Sequence, residues 1–345
     1  MSRWAVVLAG GVGSRFWPIS TPDRPKQLLP LATTEPMLAD ALARLAPIVP
    51  PERTLILTNA GLVESIAKIA PALPRENLIA EPKPAGTAAA LAWGAHLIEQ
   101  RGSRDDVMIS IHADWAIGDA EGFRKALLDA ADTAEQEHAL VTVGVVPVRP
   151  DPGFGYIQPG APAGPRARRV ARFVEKPDRA RAESMVRDGF LWNSGIFVWR
   201  VGDFLDEIDA LTPEIAPHLA AHPDNLAAFF AAIETPIAVD VGVMERSARV
   251  LVLPGDFGWD DVGTWAALKR VRTCDAHGNA LSGTVHALES HDNVVHADGN
   301  AVVLYGVHDL VVVSRACLTL VTTTEHASDL KQLIETLPPR IREQS

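Results

Sequence analysis

Residues 4–18 read WAVVLAGGVGSRFWP, and residues 24–30 read RPKQLLP. The apolar run at residues 4–8 contains two valines and predicts a short buried strand. The glycines that follow it tolerate positive φ angles, so the backbone N–H groups of this turn can approach a ligand closely. A glycine turn after a buried strand is a common cradle for anions. The opening of the chain therefore predicts a strand that leads into an anion-binding loop.

This opening is basic although the chain as a whole is acidic. Residues 1–30 contain Arg3, Arg15, Arg24 and Lys26 against the single acid Asp23, whereas the full chain has a net charge of -11. An ordinary strand-to-helix turn would explain the glycines but would not explain Arg15 and Lys26, the two cations beside the loop. A polyphosphate is the anion that best accounts for both features.

Two familiar glycine loops do not fit this sequence. The dinucleotide-binding fingerprint requires a third glycine at the position that Phe16 occupies, which disfavours a redox enzyme of that type. A Walker A loop requires Gly-Lys followed by Ser or Thr, and the chain has no such triplet. The function of the loop must therefore be inferred from the longer stretch of sequence around it.

Composition narrows the class of protein further. The 345 residues are 47% hydrophobic, which is enough for a large core and allows two domains. The acidic balance argues against nucleic acid as a partner. No apolar stretch is long enough to span a membrane, and the N-terminus lacks the layout of a signal peptide, so we expect a cytoplasmic protein without a membrane partner.

The histidines and cysteines of the chain do not form a recognisable metal-binding motif. His286, His291 and His296 recur at intervals of five in the C-terminal part, where a solvated strand edge is favoured over a metal site. Cys274 and Cys317 are too far apart in sequence for a metal knuckle, and buried reduced thiols are the simplest interpretation.

Predicted strands and helices alternate from residue 4 to about residue 146, which indicates βαβ units and a mainly parallel sheet. Residues 150–169 are rich in proline and glycine and predict a loop or hairpin at the rim of the sheet. Residues 202–233 predict short helices separated by Pro213, Pro217 and Pro223. From residue 278, short apolar runs eight to ten residues apart predict stacked short strands, with a closing helix at residues 325–337.

Residues 8–18, together with Pro25-Lys26-Gln27, resemble the opening of the sugar-nucleotide pyrophosphorylases, and most of all those that join GTP to mannose 1-phosphate. This resemblance implies an α/β fold with a Rossmann-like nucleotidyltransferase domain, GT-A-like and built on a mainly parallel mixed sheet, over residues 1–275. It also implies a small left-handed β-helix-like domain over residues 276–345, often used for homodimer contacts. The cupin-like isomerase domain of the longer bifunctional members is not expected after it.

The resemblance also assigns nucleotide-binding residues. Arg15 and Lys26 contact the phosphates and are the expected catalytic residues. The strand end and loop that hold the nucleotide correspond to Leu8, Ala9, Gly10, Gly11 and Gly13.

Base recognition is expected at the segment that begins with Glu81 and Pro82. The family usually has an Arg-Asn-Thr-Ala-like segment there, whereas this chain continues Lys-Pro-Ala before Gly86 and Thr87, so the Arg-Asn pair is missing. Glu81 is expected to accept hydrogen bonds from guanine N1 and N2, which would exclude adenine. A plain strand exit is the alternative interpretation of the Glu-Pro dipeptide.

Four further segments match the sugar-phosphate site of the family. Glu175 is expected to accept hydrogen bonds from sugar hydroxyls and Lys176 to pair with the sugar's phosphate. A solvated turn is the alternative interpretation of this Glu-Lys pair before a proline. The remaining positions are Gly155 and Tyr156, whose backbone meets the hexose, Asn193, and, more loosely, Asp240.

Two aspartates are expected to hold Mg²⁺. Asp114 follows a predicted strand and is also assigned to the nucleotide site, and Asp261 lies in the string Trp-Asp-Asp-Val-Gly-Thr-Trp, which resembles a metal-binding string of the family. Magnesium prefers carboxylate and phosphate oxygens and uses few protein ligands. A helix or strand cap is the alternative role for Asp114, and an exchange of roles between Asp260 and Asp261 stays open.

The predicted reaction is the transfer of GMP from GTP to mannose 1-phosphate, with release of pyrophosphate. The alternatives are the same chemistry on another sugar 1-phosphate, such as a heptose 1-phosphate, or with UTP or dTTP. A non-catalytic nucleotide-sensing subunit on the same fold is a further alternative, which the presence of all five charged site residues, Arg15, Lys26, Asp114, Lys176 and Asp261, disfavours.

Overall fold

The structure is a computed structural model, and it describes residues 1–11 and 14–342. The chain forms two compact units. The first unit contains Met1–Gly10, Leu42–Ala113 and Asp119–Trp259. The second unit contains Gly11–Ala41, Asp114–Gly118 and Asp260–Ser345. The glycine loop of the sequence therefore begins in the first unit and continues in the second. The predicted division into residues 1–275 and 276–345 stays a prediction.

The strands of the described residues are, in chain order, β1 (Arg3–Leu8), β2 (Thr54–Asn59), β3 (Leu78–Glu81), β4 (Val107–His112), β5 (Ala116–Ile117), β6 (Leu140–Val145), β7 (Tyr156–Ala163), β8 (Ala167–Val174), β9 (Leu191–Arg200), β10 (Val250–Gly255), β11 (Trp259–Asp260), β12 (Ala280–Leu288), β13 (Val294–Tyr305), β14 (Leu310–Arg315) and β15 (Leu318–Thr323). The α-helices are α1 (Met37–Leu45), α2 (Val63–Ile69), α3 (Thr87–Arg101), α4 (Ala120–Glu137), α5 (Arg179–Arg187), α6 (Val201–Leu211), α7 (Ala216–Ala221), α8 (Leu226–Ala232), α9 (Leu268–Val271), α10 (Lys331–Thr336) and α11 (Pro339–Arg342). Short 3₁₀ helices at Ser14–Phe16, Lys26–Leu28 and Trp265–Ala267 and a π-helix at Asp240–Met244 matter for the site.

The first unit is built on one mixed sheet with the strand order β3-β2-β1-β4-β9-β6-β10-β8-β7. Strands β1 to β4 pair in parallel, as do β6 and β10, whereas β9 runs antiparallel to both of its neighbours β4 and β6. The predicted α/β fold with a mixed sheet is confirmed. The predicted rim hairpin is the antiparallel pair β7 and β8.

The central strand β1 is buried along nearly its whole length, which explains its continuous apolar sequence. Val6 lies against α3, where Gly94 places the helix backbone so close that an added Cβ would lie 3.4 Å from a Val6 methyl. The alanine-rich sequence of α3 allows this approach because its small side chains are buried almost all round the helix. Helix and sheet together form a large core that fixes the carboxyl ends of β1 and β4.

The second unit contains a four-stranded arrangement in which β12, β13 and β14 are parallel. This is the β-helix-like part that the sequence predicts, although its last strand, β15, pairs antiparallel with β14. Its turns repeat one conformation: Gly278, Asp292 and Asp309 all have positive φ angles of 56–77°. Buried Asn279 and Asn293 link successive turns, because the Asn293 amide donates to the Asn279 side-chain oxygen over 2.9 Å. Asn279 Oδ1 also accepts from Asn293 N and Asn293 Oδ1 accepts from Leu310 N, each over 3.0 Å, so these side chains satisfy backbone groups of the turns.

Three predicted details of the fold are wrong. The closing helix at residues 325–337 is divided into a 3₁₀ turn (His326–Ser328) and the short helix α10. Pro217 does not separate helices, since it lies in the first turn of α7, where no intrahelical N–H is needed. His296 is not on a solvated edge, because only 7% of its surface is exposed.

Among the described residues, no helix combines the length and the apolar character needed to cross a lipid bilayer.

Candidate active site

The carboxyl end of β1 carries the first of the predicted nucleotide-binding residues. Leu8 and Ala9 are buried, and the backbone of Ala9 is held by two neighbours, since its N–H donates to Leu57 O and its carbonyl accepts from the Thr58 hydroxyl. Gly10 is exposed, and a Cβ added to it would lie 3.8 Å from Glu81 Oε1. The predicted residues Gly10 and Glu81 are therefore neighbours in the first unit, at the ends of β1 and β3.

Glu81 is an unusual carboxyl group. Its side chain is half-buried, and burial raises its pKa from 4.5 to about 7. A carboxyl group with such a pKa changes its charge within the physiological range. When ionised, it has two oxygens that can accept hydrogen bonds from neighbouring N–H donors of a ligand.

Gly86 and Thr87 have structural contacts that the sequence does not reveal. Gly86 has a φ of 83°, and a Cβ there would lie 2.2 Å from Ile237 O, so only glycine fits. The Thr87 hydroxyl accepts a hydrogen bond from Val239 N over 2.9 Å. Both residues thus hold the segment before the π-helix against the start of α3, while Pro82 is exposed. Their predicted contact with a nucleotide stays a prediction.

In the second unit, Lys26 lies at the start of a 3₁₀ helix and is only 7% exposed. Its Nζ lies 3.0 Å from Asp114 Oδ2 and 2.5 Å from the carbonyl oxygen of Asp261. The neighbouring Gln27 side chain donates to Gly11 O over 3.0 Å, so it connects the glycine loop to the lysine helix. The structure therefore brings together Gly11, Lys26, Asp114 and Asp261, which are distant in sequence. Gly13 lies outside the described residues.

The Asp261 carboxyl is surrounded by charges of both signs. Burial raises its pKa, and the nearby Asp260 and Asp114 act in the same direction, whereas Lys26 and Arg15 oppose the shift. A Cβ added to Gly263 would lie 2.7 Å from Asp261 Oδ2 and 3.4 Å from an Arg15 guanidinium nitrogen. The small residue at position 263 therefore leaves room for Asp261 and the exposed Arg15 side by side. This cluster contains two cations, Lys26 and Arg15, and two carboxylates, Asp114 and Asp261.

Asp260 has a different environment from Asp261. Its carboxylate forms a bidentate ion pair with Arg270, with N–O distances of 2.7 and 3.0 Å, and also accepts from Val262 N. This bond holds Val262 at a φ of 46°, a strained value for a β-branched residue. Asp260 thus shapes the turn, while Asp261 lies beside Lys26 and Arg15.

The donor set around Lys26 suits a hard divalent cation. Asp114 and Asp261 offer carboxylate oxygens, and burial disfavours the charged form of Asp261, an effect that Lys26 and Arg15 offset only in part. Across the part of the chain that the structure describes, no group of three or more His, Cys, Asp or Glu side chains is arranged to hold a metal ion. A cation at this place would therefore need phosphate oxygens or water to complete its coordination.

A second group of predicted residues meets in the first unit. The Asn193 amide donates to Asp240 Oδ1 over 2.7 Å, and Asn193 N donates to Gly155 O over 2.8 Å. A Cβ added to Gly155 would lie 2.7 Å from Glu175 Oε2, so glycine makes room for that carboxylate. Lys176, two-thirds exposed, lies 2.8 Å from Glu175. These residues form one connected group that contains several hydrogen-bonding side chains and the cation of Lys176.

Tyr156 and Glu245 complete this region. The Tyr156 side chain is fully buried and its hydroxyl bonds to the backbone of Asp151, so the tyrosine supports the β7 start from within. Glu245 was not among the predicted site residues. Its pKa is raised by partial burial and by the nearby Asp240 and Glu175, which places it beside the group. Gln27 of the second unit was also not among the predicted site residues. For Glu245, the signal in the sequence was its place at the end of the same string as Asp240.

The chain belongs to the nucleotidyl transferase family, whose model matches residues 4–278. A second model, for the MannoseP isomerase/GMP-like beta-helix domain, matches residues 283–337. This family defines the class of the protein, a nucleotidyltransferase enzyme.

Individual proteins that are similar to this chain are more specific than the family model. The chain is 35% identical over 346 residues to a mannose-1-phosphate guanylyltransferase of Klebsiella pneumoniae and 36% identical over 351 residues to one of Escherichia coli K12, covering 96% of this chain and 73% of each relative. A crystal structure described as mannose-1-phosphate geranyltransferase from Thermus thermophilus is 35% identical, with a TM-score of 0.90 over 97% of this chain and 99% of that one.

Proposed function

We propose that the protein transfers GMP from GTP to mannose 1-phosphate, giving GDP-mannose and pyrophosphate. The observation that carries the proposal is the environment of Lys26, a buried ammonium held between the Asp114 carboxylate and the backbone carbonyl of Asp261. Arg15 lies beside the Asp261 carboxylate. The names of the relatives, read with this cluster, support GTP and mannose 1-phosphate as the substrates.

The reaction is an in-line displacement at the α-phosphorus of GTP. A phosphate oxygen of mannose 1-phosphate forms a new bond to this phosphorus, while the bond from the α-phosphorus to the bridging oxygen breaks and that oxygen leaves with pyrophosphate. The attacking phosphate is already anionic near pH 7, so no general base is needed. The site must instead neutralise clustered negative charge and align the reactants.

Arg15 and Lys26, the two cations of the cluster in the second unit, act on the phosphates of GTP. Arg15 and Lys26 bind the triphosphate and stabilise the charge that grows on the leaving pyrophosphate. The backbone N–H groups of the glycine turn at Gly10 and Gly11 contact the phosphates. Because Lys26 is already held by Asp114 and Asp261, little reorganisation is needed when the nucleotide binds.

Asp114 and Asp261 would hold Mg²⁺. A bound divalent cation supplies additional neutralisation of the phosphate oxygens. The pair offers only carboxylate oxygens, which matches the ligand preference of Mg²⁺. Asp261 lies next to Lys26, whereas Asp260 is paired with Arg270. This difference supports Asp261 as the ligand.

In the first unit, Glu81 recognises the base. Guanine presents N1–H and N2–H₂ donors, and an ionised carboxylate accepts both, whereas adenine presents a different pattern. The Asn193, Asp240 and Glu175 group binds the hydroxyls of the hexose, and Lys176 pairs with its phosphate.

GTP binding is expected to weaken as the pH falls below 7. The pKa of Glu81 is raised to about 7, so below this pH the free protein carries a protonated Glu81 that must lose its proton to accept two guanine donors. The KM for GTP should then rise by close to tenfold for each further pH unit, while it stays constant above about pH 8. Initial rates at pH 5.5 to 8.5 measure this dependence.

Glu81→Gln should raise the KM for GTP and abolish its dependence on pH, because the amide does not titrate. Glu76→Gln, at an exposed position just before β3, should behave as the unmodified protein. A pH dependence that persists in Glu81→Gln would assign it to another group.

Lys176→Ala should raise the KM for mannose 1-phosphate about tenfold, the effect of one lost charge-assisted hydrogen bond to a phosphate, and leave the KM for GTP within a factor of two. Lys68→Ala, an exposed helical lysine of the same unit, is the matched control. An equal change in both KM values would remove Lys176 from the sugar-phosphate site.

The function itself is tested with a panel of GTP, ATP, UTP and dTTP against mannose, glucose and heptose 1-phosphates, read by release of pyrophosphate. The highest kcat/KM is expected for GTP with mannose 1-phosphate. A higher value for another pair would change the substrates, and no turnover with any pair would favour a sensing subunit.

We also propose a domain boundary at residue 275/276, a homodimer and a cytoplasmic location. The two family models, which meet between residues 278 and 283, support the boundary. Apolar side chains of Leu288, Val303 and Tyr305 are 53–70% exposed on the β-helix-like part, which supports its use as a dimer contact. Cys274 and Cys317 do not form a disulfide, which supports a reducing compartment, but Cys274 is only partly buried and Cys317 is exposed, so the expectation of two buried thiols is wrong.

A further inference from the structure

Three side chains from the C-terminal part of the second unit donate hydrogen bonds to backbone carbonyls of residues 14–31, here called the phosphate segment. Trp265 Nε1 donates to Trp17 O over 3.0 Å, Arg272 Nε to Leu31 O over 2.6 Å, and Arg315 Nη1 to Ile19 O over 3.4 Å. Trp17 is two residues after Arg15, and Leu31 is five residues after Lys26. The bonds therefore hold the backbone just after Arg15 and on both sides of Lys26.

Side-chain packing also joins the phosphate segment to the C-terminal part of the second unit. The Trp265 ring contacts the Phe16 ring edge to face, with centroids 5.1 Å apart. Apolar residues of the phosphate segment share one buried cluster with the β-helix-like strands, and its members include Phe16, Trp17, Ile19, Leu29 and Leu31 from the segment and Trp265, Leu268, Val294 and Val311 from the C-terminal part. The segment is thus part of the same core as the β-helix-like part.

Arg272 is the least expected member of this arrangement. Its Nη2 bonds to His296 Nδ1 over 3.2 Å, whereas its Nη1 is buried and has no hydrogen-bond partner among the described residues. Burial lowers the pKa of Arg272 to about 10, and burial together with the nearby Arg272 charge lowers the pKa of His296 to about 4, so His296 is neutral at pH 7. Burying a guanidinium beside neutral acceptors costs folding free energy. A methionine of similar length would avoid that cost but would give Leu31 O no donor.

We propose that Arg272, oriented by His296 of β13, and Trp265 are positioning residues that hold the phosphate segment so that Arg15 and Lys26 meet the triphosphate. The inference rests on the proposed function, since it gives these two cations the same task. The physical reason is that charge stabilisation in the reaction depends on donors placed in advance, and a displacement of about 1 Å can cost about 100-fold in rate. The β-helix-like part then contributes to catalysis indirectly, through the contact of His296 with Arg272.

The test compares Arg272→Met, Arg272→Lys and Trp265→Phe. Arg272→Met keeps the apolar stem and removes all donors, and Trp265→Phe keeps the ring packing on Phe16 but removes the Nε1 donor. Both should lower kcat/KM for GTP by about 10- to 100-fold and raise the Kd of GTP in calorimetry, with the KM for mannose 1-phosphate unchanged. Arg272→Lys should recover part of the loss, because its ammonium can still donate to Leu31 O.

Arg340→Met, at an exposed position of the same unit, should change neither constant. The inference is overturned if folded Arg272→Met and Trp265→Phe bind and use GTP as the unmodified protein does. It is also overturned if kcat falls only in proportion to the folded fraction, with the Kd of GTP unchanged, since a merely structural role predicts that result. If Arg272→Met does not fold, Trp265→Phe decides.

The GTP affinity separates this inference from the proposed function. If the unmodified protein fails to use mannose 1-phosphate, the proposed function fails. The positioning inference is then still decided by whether the variants weaken GTP binding.

Discussion

Replacing Lys26 by alanine is expected to reduce kcat by about 10²- to 10³-fold, the usual effect of removing a preorganised charge from a phosphate-transfer site. The ammonium lies 3.0 Å from Asp114 and 2.5 Å from the Asp261 carbonyl, so it is held in place before substrate arrives. Without it, two carboxylates face the triphosphate with less opposing charge. Steady-state release of pyrophosphate with saturating GTP and mannose 1-phosphate measures the effect.

Lys26→Met separates charge from packing, because it keeps a long apolar stem at this buried position. Both variants should lose turnover to a similar extent while circular dichroism shows that the fold is retained, although loss of the Lys26 charge beside Asp114 and Asp261 should lower the unfolding temperature. Lys331→Ala is the matched control, since this lysine of the same unit has a side chain that is 83% exposed. If folded Lys26→Ala formed product at a near-normal rate, the assignment of Lys26 as a catalytic residue would be wrong.

Asp261→Asn is expected to lower kcat by about 10²- to 10³-fold without loss of stability. Burial raises the pKa of Asp261, which means that the folded state disfavours its charged form, so removing that charge should leave the free energy of unfolding unchanged or slightly higher at pH 7. The Mg²⁺ concentration for half-maximal rate should rise at the same time. Rates across a Mg²⁺ titration and urea unfolding measure the two effects.

Asp260→Asn provides the contrast, because the same substitution is made at the neighbouring aspartate. It should lower the free energy of unfolding by about 1–2 kcal/mol, since Arg270 loses a bidentate partner that is itself buried. Its Mg²⁺ dependence should stay as in the unmodified protein. If instead Asp260→Asn shifted the Mg²⁺ dependence and Asp261→Asn did not, the two aspartates would exchange roles.

Several features were predictable because their signals are local. The apolar run of β1, the glycine turn and the basic residues around it lie within thirty residues, and together they predict a buried strand followed by a phosphate loop. The alternation of strands and helices predicts the parallel part of the α/β sheet for the same reason, since each element buries its own apolar face, whereas the antiparallel strand β9 does not follow from it. The short apolar runs after residue 278 likewise predict stacked short strands, which the structure has as β12 to β14.

Other features depend on contacts between distant parts of the chain. Only the tertiary structure distinguishes Asp260 from Asp261, because the decisive neighbours, Arg270 and Lys26, lie 10 and 235 residues away in sequence. The raised pKa of Glu81 follows from burial, which no local pattern reports.

The amino-acid sequence by itself determined the class of the fold and the chemical character of the site, because strand periodicity and a charged glycine turn are written in neighbouring residues. The tertiary structure alone decided what holds that site in place. Trp265 and Arg272 donate to carbonyls of residues more than 200 positions earlier, and a backbone carbonyl is the same in every residue, so no sequence pattern marks it as an acceptor.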